Sequence, residues 1–99
     1  MNRNKWNNTG WSDNEPTEEI VNSFKKGIIK TGDRLLDIGC GFGRNSNWLA
    51  SKGVIVTAIN INKNEIDEAM TRAVKLGVYV NYFLAEATNL PLEKNDFDV

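Results

Sequence analysis

The fold is indicated by one stretch of seven residues, Asp37-Ile38-Gly39-Cys40-Gly41-Phe42-Gly43. It follows the short run Arg34–Leu36 and precedes a stretch with helical spacing from Arg44 onward. Glycine at every second position lets the backbone turn through positive φ or approach a ligand closely, because no Cβ stands in the way. The spacing is G-x-G-x-G, and Arg44 stands where a dinucleotide-binding fingerprint would carry its third glycine. The stretch therefore predicts a strand, a ligand-binding loop and then a helix.

On either side of this loop, apolar patterns predict alternating helices and strands. A helix with Pro16 in its first turn is predicted from apolar residues at helical spacing between positions 20 and 28. The β-branched run at 54–59 predicts a strand buried on both faces. Residues 78–84 predict a third strand, and Phe97–Val99 the first residues of a fourth. Between the second and third strands, Asn62 with Glu65 three residues later resembles a capping box, and Gly77 ends that helix.

This order of elements predicts the fold class and its boundaries. Strands that alternate with helices predict an α/β protein, a Rossmann-like three-layer sandwich with a parallel sheet and right-handed crossovers. Ligands bind to such sheets beyond the carboxyl ends of the strands, where the glycine loop is placed. Residues 1–14, with five asparagines and two tryptophans, predict a polar leader, and residues 15–99 a partial domain.

Composition excludes several classes of function. The chain has 99 residues, a net charge of −1 and a pI near 5.4, so no basic surface for nucleic acid or anionic membrane is expected. It has no histidine, which removes the commonest general base and metal ligand. Cys40 is the only cysteine, which fits a reducing compartment, and no apolar stretch is long enough for a membrane span. A cytoplasmic location is therefore expected.

Residues 41–45, Gly-Phe-Gly-Arg-Asn, followed by Trp-Leu-Ala-x-x-Gly at 48–53, resemble the class I S-adenosylmethionine-dependent methyltransferases. Within that superfamily they are similar to the small tellurite-resistance and thiopurine-type branch, as residues 10–16 are with less specificity. The resemblance covers residues 11–99 and accounts for the first half of the family fold. It implies S-adenosyl-L-methionine as the cofactor and direct displacement of its methyl group by an unknown acceptor. This chain would supply the cofactor-binding half.

The resemblance also implies roles for individual residues. Asp37 matches the acidic residue that holds the methionine end of the cofactor, and the three loop glycines match the turn against which the cofactor lies. Asn60 falls where the family has an acid on the ribose hydroxyls, and the pair Glu86-Ala87 falls beside the adenine. The predicted cofactor-binding residues are Asp37, Gly39, Cys40, Gly41, Gly43, Asn60, Ile61, Glu86 and Ala87. No catalytic or metal-binding residue is predicted.

Two departures from the family pattern carry expectations. An amide at Asn60 offers one acceptor oxygen where a carboxylate offers two, so Asn60→Asp is expected to tighten cofactor binding about five- to tenfold. The sequence printed ends at Val99, at the beginning of the strand that would pair with Arg34–Ile38. The first strand is then expected to be an open edge through which the chain self-associates.

Three alternatives stay open at this point. The glycine loop could be a tight turn without a ligand, or a dinucleotide site. Asp37 disfavours the dinucleotide because a carboxylate repels a pyrophosphate, whereas it can face the ammonium group of a sulfonium amino acid. The alternative from a different class is a non-catalytic remnant or partner subunit that binds the cofactor weakly or not at all.

Overall fold

The computed structural model describes residues 15–86 and 96–99. The predicted leader at 1–14 and the site residue Ala87 lie outside the described residues. Within the described ranges, three helices and three strands alternate. They are α1 (Glu18–Lys25), β1 (Arg34–Ile38), α2 (Arg44–Ser51), β2 (Ile55–Asn60), α3 (Lys63–Leu76) and β3 (Asn81–Leu84).

The three strands form a parallel sheet in the order β1-β2-β3. Successive strands are thus neighbours, and each right-handed crossover places its helix on the same face of the sheet. The predicted parallel, Rossmann-like arrangement is confirmed, and the described residues supply the helical layer and the sheet layer.

The core lies between this helical layer and one face of the sheet. In the register, Leu35 pairs with Val56 and Ala58 pairs with Tyr82, so these side chains point to the same face. Leu49 of α2 packs there and is almost fully buried. Burial of one such side chain contributes roughly 1.5–3 kcal/mol to the stability of the fold. The core between the helices and this face of the sheet is therefore the main source of that stability. The buried members of this core cluster are Ile29, Leu35, Leu49, Val54, Val56, Ala58 and Val80.

The opposite face of the sheet is uncovered in part among the described residues, since Ile59 on this face is buried while three other apolar side chains are exposed. Ile38, Ile55 and Phe83 lie on it, one from each strand, and are 59%, 54% and 51% exposed. The prediction that the second strand is buried on both faces is therefore wrong at Ile55. The β-branched run identified the strand correctly, but both described crossover helices cover only the other face.

Element boundaries differ from the sequence predictions in two further places. The first helix begins after Thr17, so Pro16 precedes the cap and does not lie in the first turn. Ile28 lies beyond the helix and is exposed, because the helix ends at Lys25 and the chain turns through Gly27 with positive φ. The third strand begins at Asn81, three residues later than predicted.

Residues 98–99 lie beside β1, as expected of the beginning of a fourth strand. The Asp98 amide donates to the Arg34 carbonyl at 2.7 Å, and the Leu36 amide donates to the Val99 carbonyl at 3.3 Å. The Asp98 carboxylate accepts from both the backbone amide and the guanidinium of Arg34. This guanidinium lowers the pKa of the Asp98 carboxyl below its ordinary value. The edge of β1 is thus covered along its first half, from Arg34 to Leu36.

Across the described ranges 15–86 and 96–99, no helix has the length and apolar character needed to cross a bilayer.

Candidate cofactor-binding site

The glycine loop is held at the carboxyl end of β1 by its own backbone. The amides of Gly39 and Cys40 both donate to the carbonyl of Ile59 in β2, at 2.8 and 3.1 Å. The Gly43 amide then donates to the Cys40 carbonyl, which closes a turn directly before α2. Gly39, Gly41 and Gly43 all have positive φ, between 57° and 82°, which explains glycine at each position.

Two cavities open on this loop and meet at Gly39. One, of about 310 Å³, is lined by Asp37, Gly39, Cys40, Gly41, Phe42, Arg44 and Asn45. The other, of about 250 Å³, is lined by Ile38, Gly39, Ile59, Asn60, Ile61 and Ala85. A Cβ added at Gly39 or Gly41 would meet no atom within 4 Å, so the space above these glycines is open. The result is a groove that runs from Asp37 across the loop to Asn60.

Asp37 contributes a carboxylate at one end of this groove. Its Oδ2 accepts a hydrogen bond from the Ser46 hydroxyl at 2.5 Å, and Ser46 is fully buried in α2. Burial raises the pKa of the Asp37 carboxyl above its ordinary value, and the Ser46 hydrogen bond opposes that rise. Arg44 lines the same cavity. This end therefore presents a carboxylate and a guanidinium, which complement the ammonium and carboxylate of an amino acid.

Gly43 is required by packing against two other elements. A Cβ there would collide with the hydroxyl of Tyr82 and would come within 2.9 Å of the Ala69 Cβ. The Tyr82 hydroxyl donates to Asn47 Oδ1 at 2.8 Å, and Asn47 Nδ2 donates to the Ala69 carbonyl at 3.3 Å. Buried Asn47 thus connects α2, α3 and β3 directly beneath the loop.

Cys40 lines the groove but is not an activated thiol. Burial, followed by the charge of Asp37, raises its pKa to about 12, so the thiol stays protonated at neutral pH. Asn45 has a structural contact of its own, because its side chain accepts from the Thr17 amide at 2.8 Å and joins the start of α1 to the loop.

Asn60 stands at the opposite end of the groove, and both ends of its amide are engaged. Oδ1 accepts from the Ile61 amide at 2.9 Å, and Nδ2 donates to Glu65 Oε1 at 2.6 Å. Glu65 lies in the first turn of α3, where its amide donates to the Asn62 side chain. The Asn62 half of the predicted capping box is confirmed, whereas the Glu65 carboxylate bonds to the side chain of Asn60 instead of the Asn62 amide.

The predicted site residues therefore fall into four groups. Six line the two cavities: Asp37, Gly39, Cys40, Gly41, Asn60 and Ile61. Gly43 lies beneath the loop and lines neither cavity. Glu86 is exposed and follows Ala85, whose amide donates to the Asn60 carbonyl. Ala87 lies outside the described residues. The roles assigned to these residues stay predictions.

Sequence reasoning missed five residues that the fold brings to the site: Ser46, Asn47, Arg44, Glu65 and Tyr82. A local signal existed for Ser46 and Asn47, because both are polar residues in the first turn of the helix that directly follows the glycine loop. For Glu65 and Tyr82 the partners are set by tertiary contacts, and Tyr82 is 35 residues from Asn47 along the chain.

The fold is that of a Rossmann-like domain, and its groove lies beyond the carboxyl ends of parallel strands. Residues 36–99 match the family model described as "Methyltransferase domain". The chain belongs to this family.

Individual relatives agree with this assignment. The chain is 36% identical to methyltransferase GfsG of Streptomyces halstedii over 83% of its own length and 30% of that protein. It is 35% identical to phosphoethanolamine N-methyltransferase 1 of Arabidopsis thaliana, over 86% of its length and 17% of that protein. The chain thus spans less than a third of these curated relatives.

A solved structure shows the same fold. The TehB-like SAM-dependent methyltransferase from Corynebacterium glutamicum superimposes with a TM-score of 0.69 at 22% identity, over 96% of this chain and 48% of that one. The predicted membership of the class I methyltransferases is confirmed. The chain's similarity extends beyond TehB-like proteins, since it also resembles GfsG and the plant enzyme.

Proposed function

We propose that this chain binds S-adenosyl-L-methionine and forms the cofactor-binding segment of a methyltransferase. The observation that carries the proposal is the groove across Gly39, with a carboxylate and a guanidinium at one end and a polar pair at the other. Family membership supports the same reading.

The residues present fit this cofactor. Asp37 would hold the ammonium of the methionine portion, and Arg44 would pair with its carboxylate. The open space above Gly39 and Gly41 would accept the middle of the molecule, because a side chain at either position would enter it. The Asn60 end would receive the adenosine portion.

When bound, the cofactor supplies a methyl group on a positively charged sulfur, which an acceptor can attack directly. The contribution of this chain is to orient the cofactor, and alignment of reactants can lower a barrier by ~7–11 kcal/mol. The Cys40 thiol is protonated at neutral pH, so it does not compete for the methyl group as a thiolate. As the sole cysteine of the sequence, Cys40 also supports a cytoplasmic location as part of this proposal.

Titration calorimetry of the 99-residue chain tests the proposal. S-adenosylhomocysteine, the demethylated product, is expected to bind, and NAD is expected to bind more weakly or not at all. Arg44 in place of a third glycine and the carboxylate of Asp37 both disfavour a pyrophosphate site. Equal or tighter binding of NAD would overturn the assignment of the cofactor.

A further inference from the structure

We infer that Glu65, held by Asn60, is the residue that binds the ribose hydroxyls of the cofactor. The inference rests on the proposed function and adds a residue to that site. The strand-end position that faces the groove is Asn60, whose side chain carries no charge. A carboxylate is nevertheless present, because Glu65 reaches back from α3 to Asn60.

The geometry fixes the position of the Glu65 carboxylate from two sides. Its Oε1 accepts from Asn60 Nδ2 at 2.6 Å, a short hydrogen bond assisted by the negative charge of the acceptor. The backbone of Glu65 is held by the Asn62 cap at 3.0 Å. The side chain is half-buried, so it is partly withdrawn from solvent, and Asn60, to which it bonds, lines the cavity.

The charge of Glu65 also reaches the glycine loop. The Glu65 carboxylate is one of the causes of the raised pKa of Cys40, although burial and the charge of Asp37 contribute more. Glu65 is joined to the groove through its hydrogen bond to Asn60, which lines one cavity, and Cys40 lines the other. Within residues 15–86 and 96–99, Asn60 is the side chain that bonds to this carboxylate, through Oε1. Oε2 is then oriented with it and can accept from a ligand hydroxyl.

This arrangement reverses the expectation for Asn60→Asp. That substitution would replace a donor at 2.6 Å from Glu65 Oε1 with a second carboxylate, and like charges at that distance repel. The amide of Asn60 is therefore a positioning group for Glu65. We expect Asn60→Asp to weaken binding or leave it unchanged, whereas the sequence alone predicted a gain.

A cycle of Asn60→Asp, Glu65→Gln and the double variant, with one control variant, tests the inference by titration calorimetry with S-adenosylhomocysteine. Glu65→Gln is expected to weaken binding about tenfold, as a charged acceptor becomes a neutral one. The double variant Asn60→Asp/Glu65→Gln exchanges the amide and the carboxylate, keeps a donor and an acceptor in contact, and is expected to restore binding to within about threefold of the original chain. Asp67→Asn removes an exposed carboxylate from the same helix and serves as the matched control, with no change expected.

A second ligand separates a direct role from a structural one. The 2′-deoxy analogue of S-adenosylhomocysteine lacks one ribose hydroxyl, so it should bind more weakly than the parent compound to the original chain. That difference should shrink in Glu65→Gln, while thermal melting shows each variant to be folded.

The outcomes distinguish the inference from the proposed function. If the original chain binds S-adenosylhomocysteine but Glu65→Gln binds equally well, or keeps the full preference for the ribose hydroxyl, the inference is overturned and the proposed function stands. If the original chain binds no S-adenosylhomocysteine, both are overturned.

Discussion

At the scale of single residues, the site is built around a carboxylate that the fold stabilises poorly. Asp37 is partly buried, and the Ser46 hydroxyl is the hydrogen-bond donor that accompanies it within the described residues. Burial raises the pKa of Asp37 because it disfavours the charged form. A buried charge with incomplete compensation is what a site that binds a cation is expected to contain.

Replacement of Asp37 by asparagine should therefore separate stability from binding. The pKa of Asp37 is higher in the folded than in the unfolded chain, so the folded state binds the proton more readily. The contribution of this group to stability then falls as the pH rises between the two pKa values. Asp37→Asn should raise the melting temperature at pH 7, and the gain should shrink as the pH is lowered through that interval. The same variant should bind S-adenosylhomocysteine about tenfold more weakly.

Thermal melting between pH 4 and pH 7 and calorimetry check this prediction, with Asp67→Asn as the control for loss of an exposed carboxylate. A lower melting temperature at pH 7 together with unchanged affinity would show that Asp37 is a structural residue.

At the scale of elements, the three loop glycines have different reasons to be glycine. Gly39 needs positive φ and faces open space, whereas Gly43 needs positive φ and also lies against Tyr82 and Ala69. The turn thus faces open space at its first glycine and serves the packing of α2 against α3 and β3 at its last.

Alanine at these two positions should give opposite results. Gly43→Ala combines left-handed strain with a collision against the Tyr82 hydroxyl, and should destabilise the fold by about 2–4 kcal/mol. Gly39→Ala should cost about 1 kcal/mol in stability, because no neighbour lies within 4 Å of the added Cβ, yet it should weaken cofactor binding. Thermal unfolding and calorimetry of both variants distinguish these roles, and equal losses of stability would contradict them.

Local signals explain how much of the fold could be predicted from the sequence. The glycine spacing, the Asn62 cap, Gly77 and the β-branched run are local features, and each predicted an element that the structure confirms. The exposure of Ile55 depends on which face the helices cover. The contact between Asn60 and Glu65 depends on the path of the chain from the end of β2 into α3. Local sequence patterns do not show that path, so the sequence analysis treated the two residues separately.

At the scale of the whole molecule, the described chain has one well-packed sheet face and one face on which three apolar side chains are exposed and Ile59 is buried. Ile38, Ile55 and Phe83 are each more than half exposed on the uncovered side of the sheet. Residues 98–99 form backbone hydrogen bonds with the edge of β1 from Arg34 to Leu36. The predicted association edge is thus shorter than the full strand, and it adjoins the exposed face at Ile38.

We expect the isolated 99-residue chain to be marginally stable and to self-associate. Small domains bury only about 60% of their unfolded surface, and here apolar surface remains exposed as well. Sedimentation over a range of concentrations should show dimers or larger species. Ile55→Thr should reduce association without loss of the cooperative unfolding transition. A chain that stays monomeric and melts cooperatively above ~60 °C would contradict this expectation.

The most direct test of the central claim is an NMR titration of the chain with S-adenosylhomocysteine, in which each backbone amide reports separately. If the groove is the cofactor site, the largest shifts should occur at Gly39, Cys40, Gly41, Asn60 and Glu65. The amide of Ile55, on the uncovered face of the sheet, should stay unchanged. Saturable shifts confined to the loop and to the end of β2 would support the assignment. No shift at these amides, or shifts concentrated on the uncovered face, would contradict it.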